Sequence, residues 1–259
     1  MPNWVSNTII LKSEEDLKKF QELLVDENGE VDFEKLIPMP KDLNITAGSY
    51  EWKTDVYGFG FNKEKEAMQN KLIKPLLDNI YKEDMTQDRF VNTAINFSDV
   101  VNNIKEVHNA QKTEDIDNIL RGYYNLRKYG VTNWYDFHNV KWGTKWNASE
   151  TCNNDLVFFF QTAWSTPMGI WQELSKHLDF KVAFADEDIG CNFGVIEVEN
   201  GVPLFDYFED LDTEEKYYIA CMLSGYDEYC YEEMCQNVDV EPLSEEKREQ
   251  LNELIKDFI

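Results

Sequence analysis

Residues 135–148 read YDFHNVKWGTKWNA, and with Trp134 in front they gather the chain's clearest chemical candidates: Trp134, His138, Trp142, Lys145 and Trp146. An imidazole can act as general acid or base, Lys141 with Lys145 can clamp an anion, and indole faces can stack on a nucleobase. Trp134, His138 and Trp142 recur at four-residue spacing, which places them on one face of a short helix. Asn133 is a suitable cap for that helix, Asp136 falls in its first turn, and Gly143 suits its end. The same residues also make a packing anchor, with the indole N–H groups and Asn147 satisfying nearby backbone. The expectation is structural, and a nucleotide or small-ligand site on this cluster is the alternative. No Walker-type loop, GxGxxG, GxSxG or HExxH is present. No catalytic residue, cofactor or metal is assigned, and the chain reads as a non-enzyme. His108, in IKEVHNAQ, and His177, closing WQELSKHL, read as structural.

Charge is the second feature that could do chemistry. Fifty Asp and Glu face 25 Lys and Arg, a net charge of -25, which repels phosphate and so argues against direct contact with nucleic acid or an anionic membrane. The imbalance is uneven: residues 183–259 hold 22 acidic and 4 basic side chains, against 28 and 21 in residues 1–182. DYFEDLDTEE and YDEYCYEEMC mix carboxylates with aromatic rings, a composition suited to meeting a basic partner. The candidate partner-binding residues are Asp206, Glu209, Asp210, Asp212, Glu214, Glu215, Asp227, Glu228, Glu232 and Glu233. Asp186, Glu187 and Asp188 with the 206–212 carboxylates offer oxygen ligands for Ca²⁺ or Mg²⁺, but without EF-hand spacing. A solvated face that maintains solubility is the plain reading of the same residues.

The elements that must position these groups follow from periodicity. WVSNTIIL alternates as a strand, and SEEDLKKFQELLVD is a helix capped by Ser13, followed by a turn at Asn28-Gly29. VDFEKLIPMP reads as a short strand closed by prolines. DLVFFFQTAW is a strand, TPMGIWQELSKHL a helix with Thr166 as cap, and DFKVAFADED a strand. NFGVIEVENGVPLFDYFED is a hairpin turning at Asn200-Gly201. DTEEKYYIACMLSGYDEYCYEEMC and SEEKREQLNELIKDFI read as closing helices. The order predicts an α+β fold: an antiparallel sheet core from residues 1–61 and 130–210, a helical insertion at 62–129, and an acidic helical C-terminal region at 211–259. Five cysteines without CxxC spacing predict reduced thiols. With no apolar stretch of spanning length and no basic, apolar leader, the expected location is the cytoplasm.

MPNW followed by SN, FEKLIPMP, WYDFHNVKWGTKWNA and FQTAWSTPMGIWQELS together resemble the YubB-like family of plasmid- and phage-encoded proteins of unknown function. The resemblance covers the first forty residues and roughly 130–200. It implies a ferredoxin-like sheet core and a mobile-element origin, and it supplies no reaction. Joined to the charge, it leads to an expectation of an accessory protein that binds a basic host protein through its acidic surface. The specific form is an anti-CRISPR or anti-restriction inhibitor that mimics nucleic acid before a defence effector.

Overall fold

The computed structural model describes residues 3–47, 121–122, 125–126, 128–237 and 241–259. The expected insertion at 62–129 lies almost wholly outside them. The chain divides into two compact units, one of residues 1–39 with 138–259 and one of residues 40–137.

In the larger unit, β1 (Trp4–Leu11) leads into α1 (Glu14–Leu24), which Ser13 caps by accepting from the Asp16 N–H. Then come α2 (Phe33–Leu36), a π-helical turn (His138–Trp142), β2 (Ser149–Asn154) and β3 (Val157–Ala163). They are followed by the helix Met168–Leu174, β4 (Phe180–Asp186), β5 (Phe193–Glu199) and β6 (Val202–Asp206). The helices Thr213–Leu223, Glu228–Asn237 and Glu245–Ile255 close the chain. In the smaller unit, α3 (Trp134–Phe137) is capped by Asn133, whose side-chain oxygen accepts from the Tyr135 N–H at 2.9 Å. We number the four later helices α4 to α7 in that order.

All six strands pair antiparallel, in the order β2-β3-β1-β4-β5-β6. The first four strands, with α1 between β1 and β2 and α4 between β3 and β4, form a ferredoxin-like β-α-β-β-α-β core. The β5–β6 hairpin widens the sheet beyond β4. It turns on Asn200 and Gly201, both at positive φ (53° and 77°), which matches the twist of the flanking strands.

Alternation along the strands sends one set of side chains to each face. On the first face Phe158, Phe160 and Phe180 meet Phe20, Phe33 and Trp171, with ring centroids 4.7 to 6.0 Å apart. Amid this apolar layer lies one polar chain. The Asn7 amide donates to Thr162 Oγ1 (2.9 Å), Thr166 donates to Asn7 Oδ1 (2.7 Å), and the Trp171 indole donates to Thr166 Oγ1 (2.8 Å). On the second face Ala183, Ala185, Phe193 and Val195 form another core with Tyr218, Ile219, Leu251 and Ile255. The sheet is therefore covered by helices on both sides.

Three sequence expectations need correction. VDFEKLIPMP contains the short helix α2, because Asp32 accepts from the Glu34 N–H and starts a turn; Val31 makes only an isolated bridge to Val25. Thr166 does not cap α4, since its hydroxyl is engaged with Asn7 and Trp171. DTEEKYYIACMLSGYDEYCYEEMC is two helices, α5 and α6, broken where Gly225 takes φ +83°.

Candidate partner-binding surface

Register brings two acidic connections to one end of the sheet. Ala185 pairs with Phe193 and Val195 with Asp206, so the β4–β5 loop and the β6–α5 turn leave the sheet side by side. In the first, Asp186 is buried while Glu187 and Asp188 are exposed. Neutral groups hold them: the Trp4 N–H donates to Glu187 Oε1 at 3.2 Å, and the Asn3 amide donates to Asp188. Burial, then the neighbouring Asp188 and Glu187 charges, push the Asp186 carboxyl above its ordinary range. Its Oδ1 is buried without a hydrogen bond.

In the second connection Phe208 acts as a peg. It sits buried at φ +54° and stacks on Phe193, centroids 6.2 Å apart and planes 6° from parallel. Asp206 Oδ1 accepts from the Phe208 N–H at 2.7 Å and fixes the bend. With that ring turned inward, Glu209 and Asp210 face solvent. Asp212 then caps α5, and its capping box with Glu215 is complete, at 2.9 and 3.0 Å.

The structure separates the ten candidate carboxylates into groups. Glu209, Asp210, Glu214 and Glu233 are exposed, with no side-chain partner among the described residues. Asp206, Asp212 and Asp227 are exposed but bond local backbone; the Cys230 N–H at 2.8 Å helps hold the Asp227 carboxyl below its usual range. Glu228 and Glu232 share Arg248, at 3.0 and 2.8 Å. Glu215 is buried and pairs with Lys247. No ion pair among the described residues involves the Glu187, Asp188, Asp206, Glu209, Asp210 or Glu214 carboxylates; Lys216 stands near, its ammonium donating to the Glu209 carbonyl at 3.0 Å, and the sheet end keeps a net negative charge. Sequence reasoning took α5 for part of an acidic surface. The polar first turn, Thr213 to Lys216, hid a helix whose later residues, Tyr218 to Leu223, are all buried.

His138 lies face to face on Trp142, centroids 3.7 Å apart and planes at 14°. Trp142 is buried, and its indole N–H donates to the Ile37 carbonyl at 3.0 Å. His138 Nδ1 lies 2.9 Å from the Lys145 carbonyl, which places the ring proton on Nδ1, and burial lowers its pKa. Lys145 Nζ stands 4.5 Å over the Trp146 ring, whose other neighbour is Trp4. Trp134, in the smaller unit, meets Tyr135 edge to face. Asn147 accepts from the Phe33 N–H at 2.8 Å and donates to Asp32 at 2.6 Å. His177 is exposed beyond α4, and His108 lies outside the described residues. A cavity of about 470 Å³ opens elsewhere, over the second face of β1 and β3, lined by Thr8, Phe159, Gln161, Met222 and Phe258. None of the five cluster residues borders it.

Sequence reasoning also missed Arg248, the cation that binds α7 to α6, and the apolar residues of β6. Among the described residues, no group of three or more His, Cys, Asp or Glu could hold a metal ion, and no helix is long and apolar enough to cross a membrane. The five cysteines are free thiols.

Residues 141–229, from the end of the π-helical turn into α6, match the family model described as the ferredoxin-like domain in Api92-like protein. No curated protein and no solved structure matches the chain. The matched segment holds five of the six strands, and β1 completes the sheet from outside it.

Proposed function

We propose that this chain is a binding protein without catalytic activity, and that the acidic end of its sheet receives a basic segment of a protein partner. One observation carries the reading: the two acidic connections emerge together, and their exposed carboxylates have no cationic partner among the described residues. An uncompensated field of that kind accelerates encounter with a basic surface and rejects acidic ones. Its specific form is a cytoplasmic accessory protein of a phage or plasmid that occupies the nucleic-acid site of a host defence effector.

The test is capture of nucleic-acid-binding proteins from a bacterial lysate, with bound effectors challenged by duplex DNA. Glu209→Lys, Asp210→Lys and Glu214→Lys together spare the capping box and should weaken capture at least about tenfold. Capture that survives this reversal, or that duplex DNA does not displace, refutes the charge reading and the mimicry respectively.

A further inference from the structure

The two ends of the sheet are finished differently. On one side β2 is polar, its register to β3 shifts between Ser149 and Cys152, and Glu150 takes φ +54°. Irregularities of this sort are what blunts an edge against further pairing. On the other side β6 keeps unbroken register with β5 over all five residues, and no strand among the described residues pairs with its outer edge.

The outer edge can be read atom by atom. A two-residue turn makes Glu199 and Val202 the closing hydrogen-bonded pair, so Val202, Leu204 and Asp206 direct their backbone groups toward β5. The N–H and C=O of Phe205 and the carbonyl of Pro203 therefore point away from the sheet. Pro203 occupies an outward position, where its missing N–H costs β6 nothing but leaves Phe205 as the outward donor within the strand, so pairing on this edge centres on Phe205. Around this row the side chains are apolar and open: Val202 57%, Leu204 57%, Phe205 39% and Tyr207 44% exposed. Phe205 and Tyr207 stack with parallel rings, 6.5 Å between centroids. Beyond them stand Asp206, Glu209 and Asp210.

From these features we infer that β6 is a strand-addition site for an extended, basic segment of another protein. The inference deepens the proposed function and rests on it, naming the way the partner docks. An incoming strand exchanges hydrogen bonds with Phe205, lays alternate aliphatic side chains against the Phe205–Tyr207 stack on one face, and on the other sets Arg or Lys whose stems cover Leu204 and whose charge meets Asp206. A second copy of the chain fits poorly, because it would bring two strongly negative molecules together at their acidic ends.

The probe is a short fluorescein-labelled peptide alternating arginine and valine, compared with the same peptide N-methylated at every residue, which blocks both of its edges. Methylation removes pairing donors and keeps the charge. Anisotropy with the full chain should show the plain peptide binding about tenfold more tightly, as loss of backbone hydrogen bonds requires. Phe205→Pro, which removes the outward N–H, should erase that preference, while Phe205→Ala should retain it. Equal binding of both peptides that is lost in the Glu209→Lys, Asp210→Lys variant overturns strand addition and leaves acidic docking standing. No binding of either peptide overturns strand addition as well, and partner capture then decides the acidic reading. Sedimentation as a dimer that Phe205→Pro dissolves assigns the edge to a second copy and overturns it too. If Phe205→Pro does not fold, the comparison of the two peptides on the unaltered chain decides alone.

Discussion

Two buried polar side chains fix the behaviour expected of single residues. Asp186 is held in an environment that favours its neutral form. Its contribution to stability is therefore fullest below about pH 3.9, where the unfolded carboxyl is also protonated, and is lost as pH rises through the elevated folded value. Asp186→Asn should consequently melt at a higher temperature than the parent near pH 7, with the difference shrinking toward pH 4. Thr166 has the opposite standing: it is fully engaged, donating to Asn7 and accepting from Trp171. Thr166→Val preserves the shape and removes both bonds, leaving an orphaned indole N–H. Urea denaturation should register a loss of about 1–3 kcal/mol. The sequence carried no sign of either case, because a buried Thr and a buried Asp look identical to exposed ones until the strands that enclose them are paired.

At the scale of elements, legibility followed the strength of the local signal. β1, α1, β3, α4, β4 and the β5–β6 hairpin were readable because alternation, helical spacing, Ser13 and Asn200-Gly201 agree with one another. α2 was not, since its four residues are too short to show a period and Asp32 outweighs the β-rich composition around it. The π-helical turn was equally hidden. Four-residue spacing made Trp134, His138 and Trp142 look like one helical face, but the helix changes pitch after Phe137. That wider turn rests on α4 at Gly169, where an added Cβ would lie 1.9 Å from the Lys141 carbonyl oxygen. Gly169→Ala must push the turn off the helix, and overpacking of this kind costs about 1–3 kcal/mol. Differential scanning calorimetry should show the loss, whereas Gly29→Ala, with nothing within 4 Å of the added atom, suffers only from its positive φ of 87°.

For the whole molecule, composition revealed the excess of carboxylates but not which of them remain available. Glu215, Glu228 and Glu232 were indistinguishable in sequence from Glu209 and Glu214, yet the first three are drawn into contacts with Lys247 and Arg248. Those contacts join residues sixteen to thirty-two positions apart, which no local pattern records. With a net charge of -25, self-repulsion opposes the compact state. Raising NaCl from about 0.01 to about 0.15 M shortens the Debye length from about 30 to about 8 Å and should raise the melting temperature. A fall in melting temperature over that range would mean that screening of the favourable pairs outweighs relief of the repulsion.

The placement of the five thiols has a practical consequence. Cys221 and Cys235 lie in the core between the sheet and the C-terminal helices, and burial pushes the Cys221 thiol up to about 12. Cys152 and Cys191 are open to water, and the aromatic layer on the opposite face contains no cysteine. Alkylation followed over time by mass spectrometry therefore works as a built-in stopwatch: early adducts count the accessible sulfurs, and late ones time the moments when the C-terminal layer lifts.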